Sequence, residues 1–309
     1  MRTCVFACLA AALFAQQPIR VDVQLVNVGF SVRDAVGKLV TDLTRDDVEV
    51  FEDGVPQKVA FFARSTDVPL RLGLLMDVSG SQDSFVKPHA KDLQTFLKSV
   101  LGPKDDAFMV CFGNHLRLVS DFTNSPKALV NSLELFHKGK TEFPEIGPRE
   151  HRVAGTAFYD AIYYSAKQLM KDAEGRRQAL IIFSDGEDNS SAHHMMEAIE
   201  AAQAANVLLF SVRYTESRDG RLNARNKYGI GVMERIAKET GGADYDARKR
   251  GLKNNFDQIG EQLRSSYELA YHSTDPVGDG SFRKIKIRVK REGLTVRAKT
   301  GYYAAHFND

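Results

Sequence analysis

The chain lacks tryptophan altogether and has only three cysteines among 309 residues. Cys4 and Cys8 fall in an apolar stretch at the start, so removal of that stretch would leave Cys111 alone and exclude an internal disulfide framework. Cys111 lies in the apolar run Ala107-Phe108-Met109-Val110-Cys111-Phe112 and reads as a small buried hydrophobe. Excess charge of one sign is missing too. With 42 Lys and Arg against 40 Asp and Glu the net charge is +2, which gives no argument for nucleic acid or an anionic membrane as partner. No segment fits G-x-x-x-x-G-K-[ST] or G-x-S-x-G, which removes the phosphate loop and the hydrolase nucleophile elbow. His193 and His194 are adjacent rather than four apart, so they cannot act as paired zinc ligands on one helical face, and a helix-surface position is expected for them.

A membrane-length apolar run is also absent. Met1-Arg2-Thr3 followed by Cys4 to Ala15 has the positive start and short apolar segment of a secretory signal, well below the ~20 residues a spanning helix needs. Residues 1–15 are therefore expected to be a signal peptide, with cleavage leaving Gln16 first. Leu13 fits the small-residue position of a cleavage site poorly, so an uncleaved anchor is the alternative. The expected location is outside the cytoplasm (periplasmic, cell-surface or secreted), with no stable membrane span after cleavage. Export without disulfides fits a bacterial envelope protein.

What is present is an ordinary globular composition, 43% apolar and 27% charged, in a chain long enough for one large and one smaller domain. Residues 19–66 read as short strands, with Asp53-Gly54 marking a hairpin between Val48 to Phe51 and Lys58 to Phe62. From 68 to 266 strands alternate with helical patterns. The strand candidates are Leu70 to Met76, Ala107 to Phe112, Leu116 to Val119, Ala179 to Phe183, Val207 to Val212 and a short sixth at Ala243 to Tyr245. The helical candidates are Asp83 to Val100, Pro126 to Phe136, Ala157 to Met170, Ala192 to Ala205, Val232 to Thr240 and Leu252 to Leu263. This alternation predicts an α/β fold: a doubly wound, mostly parallel six-stranded sheet covered on both faces, Rossmann-like, with an antiparallel edge strand after Asn114-His115. Residues 267–305 return to β, with three strands. Three strands at each end are too few for two separate cores, so the ends are expected to pair as one small β-sandwich-like domain around the inserted α/β domain, two separate β modules being the alternative.

The chemistry concentrates at element boundaries. Asp77-Val78-Ser79-Gly80-Ser81 follows the apolar run Leu72 to Met76, delivering one carboxylate and two hydroxyls at a strand end. Thr156 heads the helical stretch from Ala157, and Asp185 with the turn residue Gly186 follows the run Ala179 to Phe183. Strand ends and a helix start of this kind meet on one rim of a doubly wound sheet. Hard divalent cations take oxygen ligands of this type, and Mg²⁺ uses few carboxylates. Asp and Ser are also common turn residues, so three unrelated turns and caps remain the plain reading.

Asp77, Ser79, Ser81, Thr156 and Asp185 together resemble the metal-ion-dependent adhesion site of von Willebrand factor type A domains, with all five positions of the D-x-S-x-S, T, D pattern filled. The flanks, with Leu43-Thr44-Arg45-Asp46-Asp47-Val48-Glu49-Val50-Phe51-Glu52-Asp53-Gly54 and the tail Asp279 to Ile285 and Gly301 to Ala304, are similar to a secreted family related to these domains that is abundant in Acidobacteria. The resemblance implies that Ser79, Ser81 and Thr156 are hydroxyl ligands, that Asp77 and Asp185 bind directly or through water, and that the ion is Mg²⁺ or Mn²⁺. It implies a non-enzymatic adhesion or interaction module whose ion takes an Asp or Glu carboxylate from a protein partner. A metal-dependent hydrolase and a purely structural metal are the alternatives. An aspartyl nucleophile of the phosphatase type would need a second Asp where Ser79 stands.

Other residues carry weaker expectations. Gln82-Asp83-Ser84 departs from the acidic pattern of integrin-like chains with a neighbouring ion, so no such site is expected. The long loops 138–154 and 215–230, with Arg149, Arg152, Arg218, Arg221 and Arg225, are expected to frame the metal and select the partner. Glu187 and Asp188 are expected to be solvated or to cap the next helix. Arg283 to Arg291 is basic on alternate residues, as one wet strand face would be.

Overall fold

The computed structural model describes residues 25–79, 83–139, 141–147, 155–171, 175–215, 221–275 and 278–304. The expected leader and the strand start at residues 21–24 lie outside them. In chain order the amino-terminal strands are β1 (Leu25–Arg33), β2 (Val48–Glu52), β3 (Val55–Gln57) and β4 (Val59–Ser65). The α/β region follows as β5 (Leu70–Asp77), α1 (Asp83–Val100), β6 (Asp106–Phe112), β7 (Leu116–Thr123), α2 (Pro126–His137), α3 (Phe158–Tyr164), β8 (Arg177–Ser184) and α4 (Met195–Ala204). It continues with β9 (Val207–Arg213), α5 (Ala224–Glu239), β10 (Asp244–Asp246), α6 (Ala247–Arg250) and α7 (Leu252–Arg264). The last strands are β11 (Ser266–His272), β12 (Phe282–Val289), β13 (Thr295–Ala298) and β14 (Gly301–Tyr303).

The central sheet has the order β10-β9-β8-β5-β6-β7, parallel except for the edge strand β7. It is the doubly wound sheet expected from the alternation. Its middle strands are apolar on both faces because both faces are covered. Leu72, Leu74 and Met76 of β5 pack with Leu93, Phe96 and Leu97 of α1 and with Phe256 and Ile259 of α7, while Leu75 joins Phe158, Ile162, Ile199 and Met233 on the other face. Gly73 sits where a Cβ would lie 2.3 Å from Leu180 Cδ2 and 2.5 Å from Phe108 Cζ, so a larger residue there would force these buried side chains to shift.

Strands from the two ends of the chain interleave. One antiparallel sheet has the order β13-β1-β11-β4 and the other β14-β12-β2-β3. They share a core of Val26, Val28, Phe30, Val50, Leu269, Tyr271, Ile285 and Ile287, in which the Phe30 and Tyr267 rings stack with centroids 5.3 Å apart. Asp53 and Gly54, at φ 48° and 86°, make the expected tight turn. Its second strand differs from expectation: β2 pairs with Val55–Gln57, and the chain then crosses so that β4 joins the other sheet beside β11. Pro56 hides β3 in the sequence, yet β3 is an edge strand, where a missing amide donor is tolerated.

Two helices begin elsewhere than the apolar spacing suggests. Helix α4 starts at Met195 rather than Ala192 because the Asp160 carboxylate accepts the amides of Ala192 and His193, both at 3.0 Å. Helix α5 starts at Ala224 rather than Val232, capped by Asn223, whose side chain accepts the Asn226 amide at 2.7 Å. Gly229 and Gly231 break its apolar pattern and mask it in the sequence. Among the described residues no helix is long and apolar enough to cross a membrane.

Candidate metal centre

The order of the sheet reverses at β5, whose neighbours are β8 on one side and β6 on the other. Crevices at such switch points, outside the carboxyl ends of the strands, are where doubly wound sheets hold ligands. Asp77 is the last residue of β5 and Asp185 follows β8 directly, so the two carboxylates come to the same crevice. Both are buried, Asp77 completely.

Local hydrogen bonding fixes each segment. Asp77 Oδ1 accepts the Ser79 amide at 2.9 Å, turning the chain sharply after the strand, while Asp77 Oδ2 accepts the Ser184 hydroxyl at 2.6 Å. The Val78 amide still donates to Phe112 O, and the Ala157 amide donates to Gly113 O at 2.8 Å. The ends of β5 and β6 and the segment carrying Thr156 are thereby joined. The backbone of Thr156 is held from the other side as well: Asn189 Oδ1 accepts its amide at 2.7 Å, and its carbonyl accepts from Asn189 N and Ser190 N. Gly155, at φ 127°, permits this approach, since a Cβ there would meet Asn189 Oδ1 at 2.5 Å. The structure thus brings Asp77, Ser79, Thr156 and Asp185 to one rim; Ser81 lies outside the described residues.

Burial pushes the Asp77 carboxyl up to about 6 against the hydrogen bonds from Ser184 and Ser79 that favour its charge, and neighbouring Asp185 adds to the rise. Among the described residues every hydrogen-bond partner of Asp77 is neutral. No three His, Cys, Asp or Glu side chains of the described residues gather into a metal-holding cluster; the oxygens at this rim are the Asp77 and Asp185 carboxylates and the Ser79 and Thr156 hydroxyls. That donor set suits a hard divalent ion such as Mg²⁺ or Mn²⁺. Beside Ser79 opens a depression of about 410 Å³ bounded by Val78, Asn114, His115 and Arg117. His115 and Arg117 both meet Glu145 there, at 2.7 and 3.0 Å.

Several residues have roles that local pattern did not reveal. Asp188 does not cap the next helix in the chain. Its Oδ1 accepts the amides of Phe158 and Tyr159 at 2.9 and 3.4 Å and so caps α3, thirty residues back. Burial pushes its carboxyl up. Glu187 is not simply solvated, because Arg225 meets it at 2.7 Å; burial, with Asp185 next, pushes its carboxyl up. His193 is not on a helix surface: its Nδ1 lies 2.8 Å from Asp160 Oδ1, and its ring stacks on Tyr163 at 3.7 Å. His194 stands at the N-cap of α4, with its amide donating to Glu197. Close helix approach completes the rim, for Gly229 of α5 lies where a Cβ would be 2.2 Å from the Asp185 carbonyl oxygen.

One of the two loops is shorter than expected, and part of the other is held against the sheet. Helix α5 takes up 224–230, and residues 144–146 run along β7, with Leu118 N donating to Pro144 O and Ile146 N to Leu116 O. Arg149, Arg152 and Arg218 lie outside the described residues.

The fold is Rossmann-like and doubly wound. No protein-family model and no curated protein matches the chain. Among solved structures it is similar to an aerotolerance-related membrane protein from Bacteroides fragilis, at 16% identity over 63% of this chain and 98% of that one, with a TM-score of 0.45. It is similar to a von Willebrand factor type A protein from Catenulispora acidiphila at 12% identity, over 93% and 75% of the two chains, TM-score 0.45. A third is proximal thread matrix protein 1 from the mussel byssus with a zinc-occupied MIDAS motif, at 15% identity over 69% and 50%, TM-score 0.46.

Proposed function

We propose that this chain is an exported, metal-dependent protein-binding module in which Asp77, Ser79, Ser81, Thr156 and Asp185 hold Mg²⁺ or Mn²⁺. The observation that carries this reading is the meeting of two buried carboxylates, Asp77 and Asp185, at the switch point of the sheet, with neutral hydrogen-bond partners around Asp77. Two carboxylates in one low-dielectric crevice repel each other, and a divalent cation removes that cost. The hydroxyls of Ser79, Ser81 and Thr156 add oxygen without adding charge, so the bound ion would keep its attraction for a further anionic oxygen. An Asp or Glu side chain of a protein partner supplies such an oxygen. The resemblance of the five residues to a metal-ion-dependent adhesion site supports the same reading. Residues 19–66 with 267–305 are the proposed β unit that presents the α/β unit, 68–266.

The test is a capture experiment from envelope extracts with Mg²⁺ or with chelator, repeated with Asp185→Ala. Partners retained only with metal and only by the unsubstituted chain support the reading. Identical captured proteins in all conditions overturn it.

A further inference from the structure

A large cleft lies at the opposite end of the central sheet from Asp77. It occupies about 910 Å³ between the amino-terminal ends of β8 and β9 and the outer face of β1 and β11. Small-molecule sites typically occupy ~300–1,000 Å³ and favour such boundaries between packed units. Its walls are strongly cationic: Lys167, Lys171, Arg176, Arg177, Arg297 and Lys299 line it, and Glu268 is the single acidic side chain among the described lining residues.

Pairing leaves most of that charge unspent. Glu268 engages Arg177 at 3.3 Å, and Asp106, outside the cleft, engages Arg176 at 3.3 Å. The other four have no ion pair among the described residues. Arg297 donates to Gln262 Oε1 at 3.3 Å and Lys299 to Asn206 Oδ1 at 2.6 Å, both neutral acceptors, while Lys167 lies 5.8 Å from the Tyr163 ring centroid. Burial pushes the Lys299 ammonium down to about 8, the response of a cation with no counter-charge. The walls are polar in their depth as well. Ser31 Oγ, Gln178 Oε1 and Gln203 Oε1 belong to buried lining residues and have no hydrogen-bond partner among the described residues, so the two units do not close on one another as a dry packed interface would.

We propose that this cleft is a second binding site, distinct from the candidate metal centre, for a small anion bearing two or more carboxylate or phosphate groups. Four cations without an ion pair among the described residues, around one space of this size, favour a multiply charged guest over a single carboxylate, because each added charge-assisted hydrogen bond meets a donor already in place. Bound there, the anion would join the segment after α3 that carries Lys167 and Lys171 to Arg297 of β13 and its neighbour Lys299, and so tie the α/β unit to the β sheet beneath it.

The experiment is isothermal titration calorimetry of the full chain, passed over a chelating resin so that no divalent ion bridges an anion to Asp77. Citrate is the probe in one arm, pyrophosphate in the second and uncharged sucrose in the third. Saturable binding of citrate or pyrophosphate is expected. It should weaken roughly tenfold or more in the Lys167→Ala/Lys171→Ala double variant, and also when salt is raised from about 0.05 to about 0.3 M. Both lysines are exposed, so the double variant is expected to keep its melting temperature, and Arg297→Ala provides an independent second variant from the other wall. Citrate alone assigns the site to carboxylates, and pyrophosphate alone to phosphates. No saturable binding of either anion, equal affinity in both variants, or equally tight sucrose binding overturns the proposal.

Discussion

Asn189 Oδ1 accepts the backbone amide of Thr156 at 2.7 Å, across thirty-three residues of sequence. The bond places the Thr156 hydroxyl by holding its main chain, while the amides of Asn189 and Ser190 return two bonds to the Thr156 carbonyl. Asn189→Ala leaves a buried amide without its acceptor, which costs about 1–3 kcal/mol. Metal affinity is expected to fall by roughly tenfold or more, as when a ligand loses the partner that orients it. The check is a Mg²⁺ titration followed by thermal melting: the metal-dependent rise in midpoint should shrink in Asn189→Ala and persist in Asn189→Asp, whose carboxylate can still accept that bond.

Helix α5 touches the site loop through a glycine. A Cβ at Gly229 would meet the Asp185 carbonyl oxygen at 2.2 Å, and a backbone atom yields less readily than a side chain. Gly229→Ala is expected to cost about 1–3 kcal/mol through overpacking and to shift Asp185, weakening metal binding. Two residues on, Gly231 faces open space. Gly231→Ala is expected to gain up to about 1 kcal/mol of helix stability and to leave metal binding unchanged. Chemical denaturation of the pair, with and without Mg²⁺, separates the two effects.

How much of this was legible follows the range of the interactions. Leu72 to Met76 and Ala179 to Phe183 announce buried strands by unbroken apolar runs, and Asp77, Thr156 and Asp185 stand at the element ends where the sequence places them. The start of α4 was not legible, because Asp160 captures the Ala192 and His193 amides from thirty-two and thirty-three residues away. Asn189 and Asp188 act over similar distances on Thr156 and α3, and no local spacing encodes such a contact. Strand β3 was hidden by Pro56 and α5 by its glycines, in both cases because tertiary context overrides local propensity. Asp53-Gly54 was legible as a turn because both positions require positive φ, yet which strand followed it depended on a sheet built from the far end of the chain.

The buried carboxylate of Glu52 binds the sandwich together. It accepts the hydroxyls of Tyr271 at 2.7 Å and Tyr302 at 3.0 Å and that of Ser273, joining residues of β2, β11 and β14 across the two sheets. Burial pushes both tyrosine hydroxyls up, and their bonds to Glu52 add to the rise. Glu52→Ala leaves the Tyr271 and Tyr302 hydroxyls without their acceptor, while Ser273 keeps the Asp275 carbonyl at 3.0 Å, and is expected to cost about 2 kcal/mol or more. Glu52→Gln retains an acceptor and should cost markedly less. Urea denaturation measures the difference, and equal loss in the two variants would show that volume rather than hydrogen bonding matters at this position.

At the outer edge of the same unit, Asp47 makes stability depend on acid. Its carboxyl is held down at about 2, first by the Thr44 amide at 2.8 Å and next by the Arg291 guanidinium at 3.1 and 3.2 Å. The folded pKa lies below the unfolded value, so the folded chain binds fewer protons here and stability rises with pH through this window. The contribution is fully present above about pH 4 and is lost as pH falls through about 2. Asp47 is partly open to solvent along this edge, so the effect is small and salt-screened. Urea midpoints measured between about pH 5 and about pH 2 should fall less steeply for Asp47→Asn than for the unsubstituted chain, and the gap should narrow at high salt. Parallel curves for the two proteins would remove Asp47 as a source of the acid dependence.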